Sequence, residues 1–254
     1  MNFANVKAIT IPEGSVNQIT DGNGVVIWKK AAVVDTKFHI TNDDVNPITV
    51  SIKKGNEDAP TITLQVSDNG TSWTTLGNTS TTALNITIPV GGKKYIRSTS
   101  ANAWGNSKGN NQFLSTGLYG AHGDIMTLLG YDTLKGYDCQ SMFRQSPITT
   151  APELPATILA QNCYNFMFFN CSSLTTAPEL PATTLVNYCY TWMFAGCTSL
   201  NEIKCNATDI SATSCTTYWV NNVAASGTFY KNPSMSSWTT GANGIPSGWT
   251  VQSV

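Results

Sequence analysis

Charge is scarce in this chain: 11% of its 254 residues are Asp, Glu, Lys or Arg, against roughly a quarter in ordinary soluble domains. With 14 basic and 15 acidic side chains and a formal net charge of -1, it has no basic surface to neutralise a phosphate backbone, so neither nucleic acid nor an anionic membrane is an expected partner. Histidine occurs twice. His39 lies in a β-rich run and His122 in a Gly-rich loop, and no family signature surrounds any cysteine, so a Cys-His nucleophile is not expected. No stretch approaches the roughly 20 apolar residues of a membrane span, and residues 1–30 lack the basic start and apolar run of a secretory leader. Neither membrane insertion nor export by a signal peptide is expected. Cysteine is absent before residue 139, and none of the seven forms the Cys-x-x-Cys pair of a zinc site. Their odd number suits a disulfide scaffold poorly. The thiols are read as reduced and buried, with no metal and no cofactor.

What is present is a period of 26 residues. Thr-Thr-Ala-Pro-Glu-Leu-Pro-Ala-Thr occurs at 149–157 and again at 175–183. The same offset relates Cys163 to Cys189 to Cys215, Cys171 to Cys197, and Met167-Phe168 to Met193-Phe194. Repetition at this length is the signature of a solenoid, and a solenoid presents a surface more readily than a catalytic pocket. An upstream partial copy at 137–148 keeps Met142-Phe143 but is one residue shorter, and a degenerate copy follows Leu200.

The Pro-containing phrase cannot be helical throughout. After it, Leu159, Cys163 and Met167 stand at i, i+4 and i+8, as do Leu185, Cys189 and Met193, which predicts a short amphipathic helix in each repeat, ending near Asn170 or Gly196. Upstream, Val6-Lys7-Ala8-Ile9-Thr10-Ile11 and Val25-Val26-Ile27-Trp28 flank the turn-forming run Ile19-Thr20-Asp21-Gly22-Asn23-Gly24, a hairpin pattern. From Thr36 to Trp104, alternating runs such as Ile48-Thr49-Val50-Ser51-Ile52 and Leu84-Asn85-Ile86-Thr87-Ile88 predict a sandwich of immunoglobulin or fibronectin type.

The segment 174–200, Leu-Thr-Thr-Ala-Pro-Glu-Leu-Pro-Ala-Thr-Thr-Leu followed by Cys-Tyr-x-x-Met-Phe-x-x-Cys-x-Ser-Leu, resembles the BspA-like leucine-rich repeats of surface proteins from gut bacteria and their phages. The stretch 204–251, with Asn232-Pro233-Ser234-Met235 and Ile245-Pro246-Ser247-Gly248-Trp249, resembles the ending that accompanies such repeats. The opening 6–28 resembles the start of tail or fibre proteins of tailed phages. The resemblance implies a phage structural protein in the virion, a fibre or tail-tip component without catalysis. It would attach to virion proteins through its N-terminal segment and bind a host surface glycan or protein. An oligomer, by analogy with other fibres a trimer, is implied as well. The alternatives are a bacterial cell-surface adhesin and a purely architectural capsid decoration or fibre protein. Many relatives of this kind have longer arrays, so a broad concave face is not implied.

The expected fold is therefore multidomain and mainly β with a short α/β solenoid. Its parts are a hairpin attachment segment (1–34), an immunoglobulin- or fibronectin-like domain (35–104), a linker or cap (105–136), a leucine-rich-repeat-like stack (137–226) and a C-terminal cap (227–254). A polysaccharide hydrolase would need a carboxylate pair; Glu153 and Glu179 are repeat-equivalent and more simply structural. Aromatic columns are the candidate binding feature. Phe166 stands i+3 from Cys163, which puts the Phe166, Trp192, Tyr218 column beside the core stripe and favours a core role for it. Tyr164, Tyr190 and Tyr188 lie farther around the helix. The candidate binding residues are Tyr164, Tyr188 and Tyr190, with Trp192 from the first column.

Overall fold

The computed structural model describes residues 18–20, 26–29, 35–235 and 238–253. They fall into two units, Met1–Asp35 and Thr36–Val254. In the first, β1 (Gln18–Thr20) and β2 (Val26–Lys29) form an antiparallel hairpin with a register shift after Ile19. Ile19 and Thr20, expected in the turn, belong to β1; the expected strand at Val6 to Ile11 lies outside the described residues.

The second unit is mainly β. One sheet contains β3 (His39–Asn42), β5 (Thr63–Ser67), β6 (Thr74–Asn78), β8 (Lys93–Ser98), β10 (Tyr119–His122) and β11 (Ile148–Thr150), in the order β11-β10-β3-β8-β5-β6. The other contains β4 (Ile48–Lys54), β7 (Leu84–Ile88) and β9 (Asn111–Ser115), in the order β7-β4-β9. In β4 the alternation is literal: Ile48, Val50 and Ile52 are buried, opposite Ile88, Ile86 and Leu84 of β7, because successive side chains of a strand face opposite ways. Phe38 meets Phe113 across the core at 5.9 Å between ring centroids.

Two expectations need correction here. The strand pairing of the β region does not end at residue 104, since β9 and β10 lie within 105–136 and pair with β4 and β3. Within that segment Ile125–Leu129 forms α1, N-capped by Asp124, whose carboxylate accepts from the Met126 amide at 2.7 Å, and closed by left-handed Gly130. It is the one α-helix among the described residues, so the helices expected in the repeats are not there.

In their place the repeats carry ladders of overlapping β-turns. In the second coil the amides of Cys163, Asn165, Met167, Phe169 and Cys171 each donate to the carbonyl three residues back. The intervening amides, those of Asn162, Tyr164, Phe166, Phe168 and Asn170, donate to carbonyls of the next coil at Asn187, Cys189, Thr191, Met193 and Ala195. The third coil repeats the pattern onto the fourth, from Tyr188 to Thr213 through Gly196 to Asn221, and the first does so onto the second. Each of these ladder amides is thus satisfied either within its own coil or by its neighbour, which is what lets an irregular-looking chain be buried.

A left-handed residue recurs every fourth position: Tyr137, Ser141 and Gln145, then Asn162, Phe166 and Asn170, then Tyr188, Trp192 and Gly196, then Ser214, Tyr218 and Asn222. This is the placement of positive φ at the third position of alternate turns. Four residues per two turns reproduces the i, i+4, i+8 spacing of a helix, and that coincidence made the repeats look helical in sequence.

On the opposite side of the coils, parallel pairing replaces the turns. Strand β12 (Glu202–Cys205) pairs in parallel with β13 (Thr228–Lys231), and β13 with β14 (Thr250–Ser253). Parallel bridges link Thr176 to Glu202, Leu180 to Cys205 and Thr184 to Asp209. The stack begins on the sandwich itself: β11 pairs in parallel with β10, and Glu153 exchanges hydrogen bonds with Gly123 and Ile125. At the other end Trp219 donates to the Gly244 carbonyl and Trp249 to that of Ala224, both at 2.8 Å. One hydrophobic core runs from Phe38 to Trp249.

Candidate functional site

The turn ladders set each repeat position in a column. Cys139, Cys163, Cys189 and Cys215 are buried, as are Cys171, Cys197 and Cys205, and all seven are free thiols. The Cys171 and Cys197 thiols donate to the carbonyls of Phe143 and Phe168 in the preceding coils, at 2.9 and 3.0 Å. Burial pushes every one of these thiols up, those of Cys171, Cys189 and Cys205 to about 12, because a thiolate has no solvation there.

Three aromatic columns accompany the sulfurs. Phe143, Phe168 and Phe194 stack at 5.6 Å between successive centroids and are fully buried. Tyr164, Tyr190 and Trp219 stack at 6.1 and 6.0 Å and are buried too. The third column, Phe166, Trp192 and Tyr218, is partly open to solvent. Phe166 and Trp192 lie 5.9 Å apart with planes 3° from parallel, and Trp192 and Tyr218 are 4.7 Å apart. Phe169 sits edge-on to both Phe166 and Trp192, and the Arg144 guanidinium lies 5.6 Å from the Phe166 ring and 5.2 Å from that of Phe169.

Of the four candidates, Trp192 lies at the centre of this ridge. Tyr188, 37% exposed, occupies the left-handed position four residues earlier. Tyr164 and Tyr190 are each 1% exposed, core residues that no ligand can touch, and this corrects the expectation. The burial order of the columns is reversed relative to the helical reading: the left-handed aromatic residues Phe166, Tyr188, Trp192 and Tyr218 reach the surface, while the pairs Cys163-Tyr164 and Met167-Phe168 turn inward. Tyr218, 46% exposed, and the partly exposed Phe166 belong to the ridge for the same reason. Asn162, Asn170, Gly196 and Asn222, residues that tolerate positive φ, recur at multiples of four from them and were the sequence signal for this geometry.

Elsewhere, Glu153 and Glu179 line a groove of about 400 Å³ with Pro152, Pro155, Pro178 and Pro181. Glu179 is held by Lys204 at 3.0 Å. The two histidines stack on each other at 5.2 Å, and His122 Nε2 lies 3.0 Å from the Thr41 hydroxyl. No helix among the described residues is long and apolar enough to cross a membrane. Comparison with protein-family models, with curated proteins and with solved structures returned no match.

Proposed function

We propose that this chain is a non-enzymatic recognition protein whose turn ridge, Phe166, Trp192 and Tyr218 with Tyr188 at its flank, binds a host surface glycan. The observation that carries the reading is the half-exposed aromatic column. Large rings occupy left-handed backbone positions, where Asn or Gly would be cheaper, and they are held in register by the ladder beneath. Aromatic faces suit sugar rings, and the surrounding surface of hydroxyls and amides offers many uncharged hydrogen-bond partners. A single such contact is weak, so the reading includes several copies acting together through avidity, a trimer by analogy with fibres.

The wider setting rests on the sequence resemblance. In it the protein belongs to a phage virion as a fibre or tail-tip component, attached through its N-terminal segment. The β unit then acts as a spacer of immunoglobulin or fibronectin type, and the coils are of BspA-like leucine-rich-repeat type. Labelled full-length protein applied to gut bacterial strains with and without their surface polysaccharide tests this. Binding is expected to depend on the polysaccharide and to fall at least about tenfold in Trp192→Ala, the size of an aromatic anchor at an interface. Binding that survives removal of the polysaccharide would point to a protein receptor, and binding to no strain to an architectural role.

A further inference from the structure

The four turn ladders, taken as 137–145, 161–170, 187–196 and 213–222, contain two charged residues, Asp138 and Arg144. Asp138 is 1% exposed and is satisfied from inside, accepting from the Tyr131 hydroxyl at 2.5 Å and from the amides of Lys135 and Trp104 at 2.5 and 3.1 Å. Arg144 is thus the sole charge that this face offers to solvent. It is half-buried against Phe166 and Phe169 at one end of the ridge. Among the described residues no carboxylate pairs with it, and its buried Nε has no hydrogen-bond partner. A guanidinium beside aromatic rings is oriented by them, and with its Nε buried a planar two-oxygen acceptor has to approach through the edge of the two terminal nitrogens. A carboxylate fits that edge, and a neutral sugar hydroxyl satisfies it less well.

We infer that the ridge takes an acidic glycan, with a uronic acid carboxylate bound by Arg144 and the neighbouring sugar rings lying over Phe166 and Trp192. This inference rests on the glycan reading above and narrows it to one chemical class. Its test is retention of the full-length protein on immobilised hyaluronan, alginate and polygalacturonate, each beside its carboxyl-reduced, neutral form. At least one acidic polymer is expected to be held about tenfold or more tightly than its reduced form, the scale of a charge-assisted contact. Arg144→Gln should abolish that preference, Arg144→Lys should keep part of it, and Trp192→Ala should weaken both members of the pair. Equal retention of acidic and reduced forms, or a preference that persists in Arg144→Gln, overturns the acidic assignment and leaves the glycan reading standing. A preference that Arg144→Gln removes and Trp192→Ala leaves untouched separates the anion site from the ridge and overturns the inference as stated. Retention on no polymer overturns it outright.

Discussion

A left-handed backbone costs an ordinary residue about 1–2 kcal/mol, and the coils meet that cost in two ways. In the column of Asn170, Gly196 and Asn222 the chain uses residues that tolerate it, and Gly196 additionally leaves room where a Cβ would collide with Asn170. In the column of Phe166, Trp192 and Tyr218 it uses rings, whose stacking returns roughly 0.5–1.5 kcal/mol per pair and so offsets only part of the strain. Cysteine serves the interior at the same scale, small enough for the tight spacing between coils and able to donate weakly to a carbonyl. Because burial raises these thiols in the folded state from an ordinary 9.0, with Cys171, Cys189 and Cys205 at about 12, the sign of the pH dependence follows. Their contribution to stability is complete below about pH 9 and is lost as pH climbs toward 12, since the unfolded chain releases protons that the native one retains. Urea midpoints should therefore hold steady through neutral pH and fall above about pH 9. A thiol reagent at pH 8 should leave the native protein unmodified and label all seven cysteines in denaturant. One rapidly labelled native thiol would show that a sulfur column is open to water.

For the element, the ladder of turns is the unit of construction. A coil whose odd amides bond inward and whose even amides bond to the next coil is stable only with neighbours in register, as in other stacked arrays. Deleting 162–187, one whole period, should leave a folded protein of lower thermal midpoint, because every surviving amide finds an equivalent carbonyl. Deleting 162–185 shifts the left-handed sites by two and should leave an aggregating or unfolded chain. If circular dichroism and thermal melts did not separate the two deletions, register would not be what holds the coils. The stacking was legible beforehand in the spacing of cysteine and proline, and so were β4 and β7, whose alternating residues face core and solvent in turn. The turn conformation was hidden by its numerical likeness to a helix over only two or three turns. For the same reason a helical reading turns the exposed Phe166, Trp192, Tyr218 column toward the core and the buried Tyr164 and Tyr190 away from it.

Across the whole second unit, the β-sheet region and the coils are continuous. Strand β10 pairs with β3 and also receives β11, the first strand of the stack, so the β-sheet region acts as the cap that a terminal repeat requires. Nothing in composition marks that junction, because it depends on β9 and β10 returning to pair with residues 57 to 83 positions earlier (Lys54 with Asn111, His39 with His122). The far end is closed by Trp238, whose ring lies 5.6 Å from that of Trp219, and by Trp249. Between these two closed ends the turn face presents its ridge to solvent, and the proposed function requires that face to be the recognition surface. Hydroxyl-radical footprinting of the aromatic side chains, with the protein free and then bound to polysaccharide-bearing cells, addresses this most directly. Tyr188, Trp192 and Tyr218 should be labelled in the free protein and shielded in the bound one, while Tyr164 and Tyr190 stay unlabelled throughout. Labelling of Tyr164 or Tyr190 in the free protein, or an unchanged pattern at Trp192 and Tyr218 on binding, would contradict it.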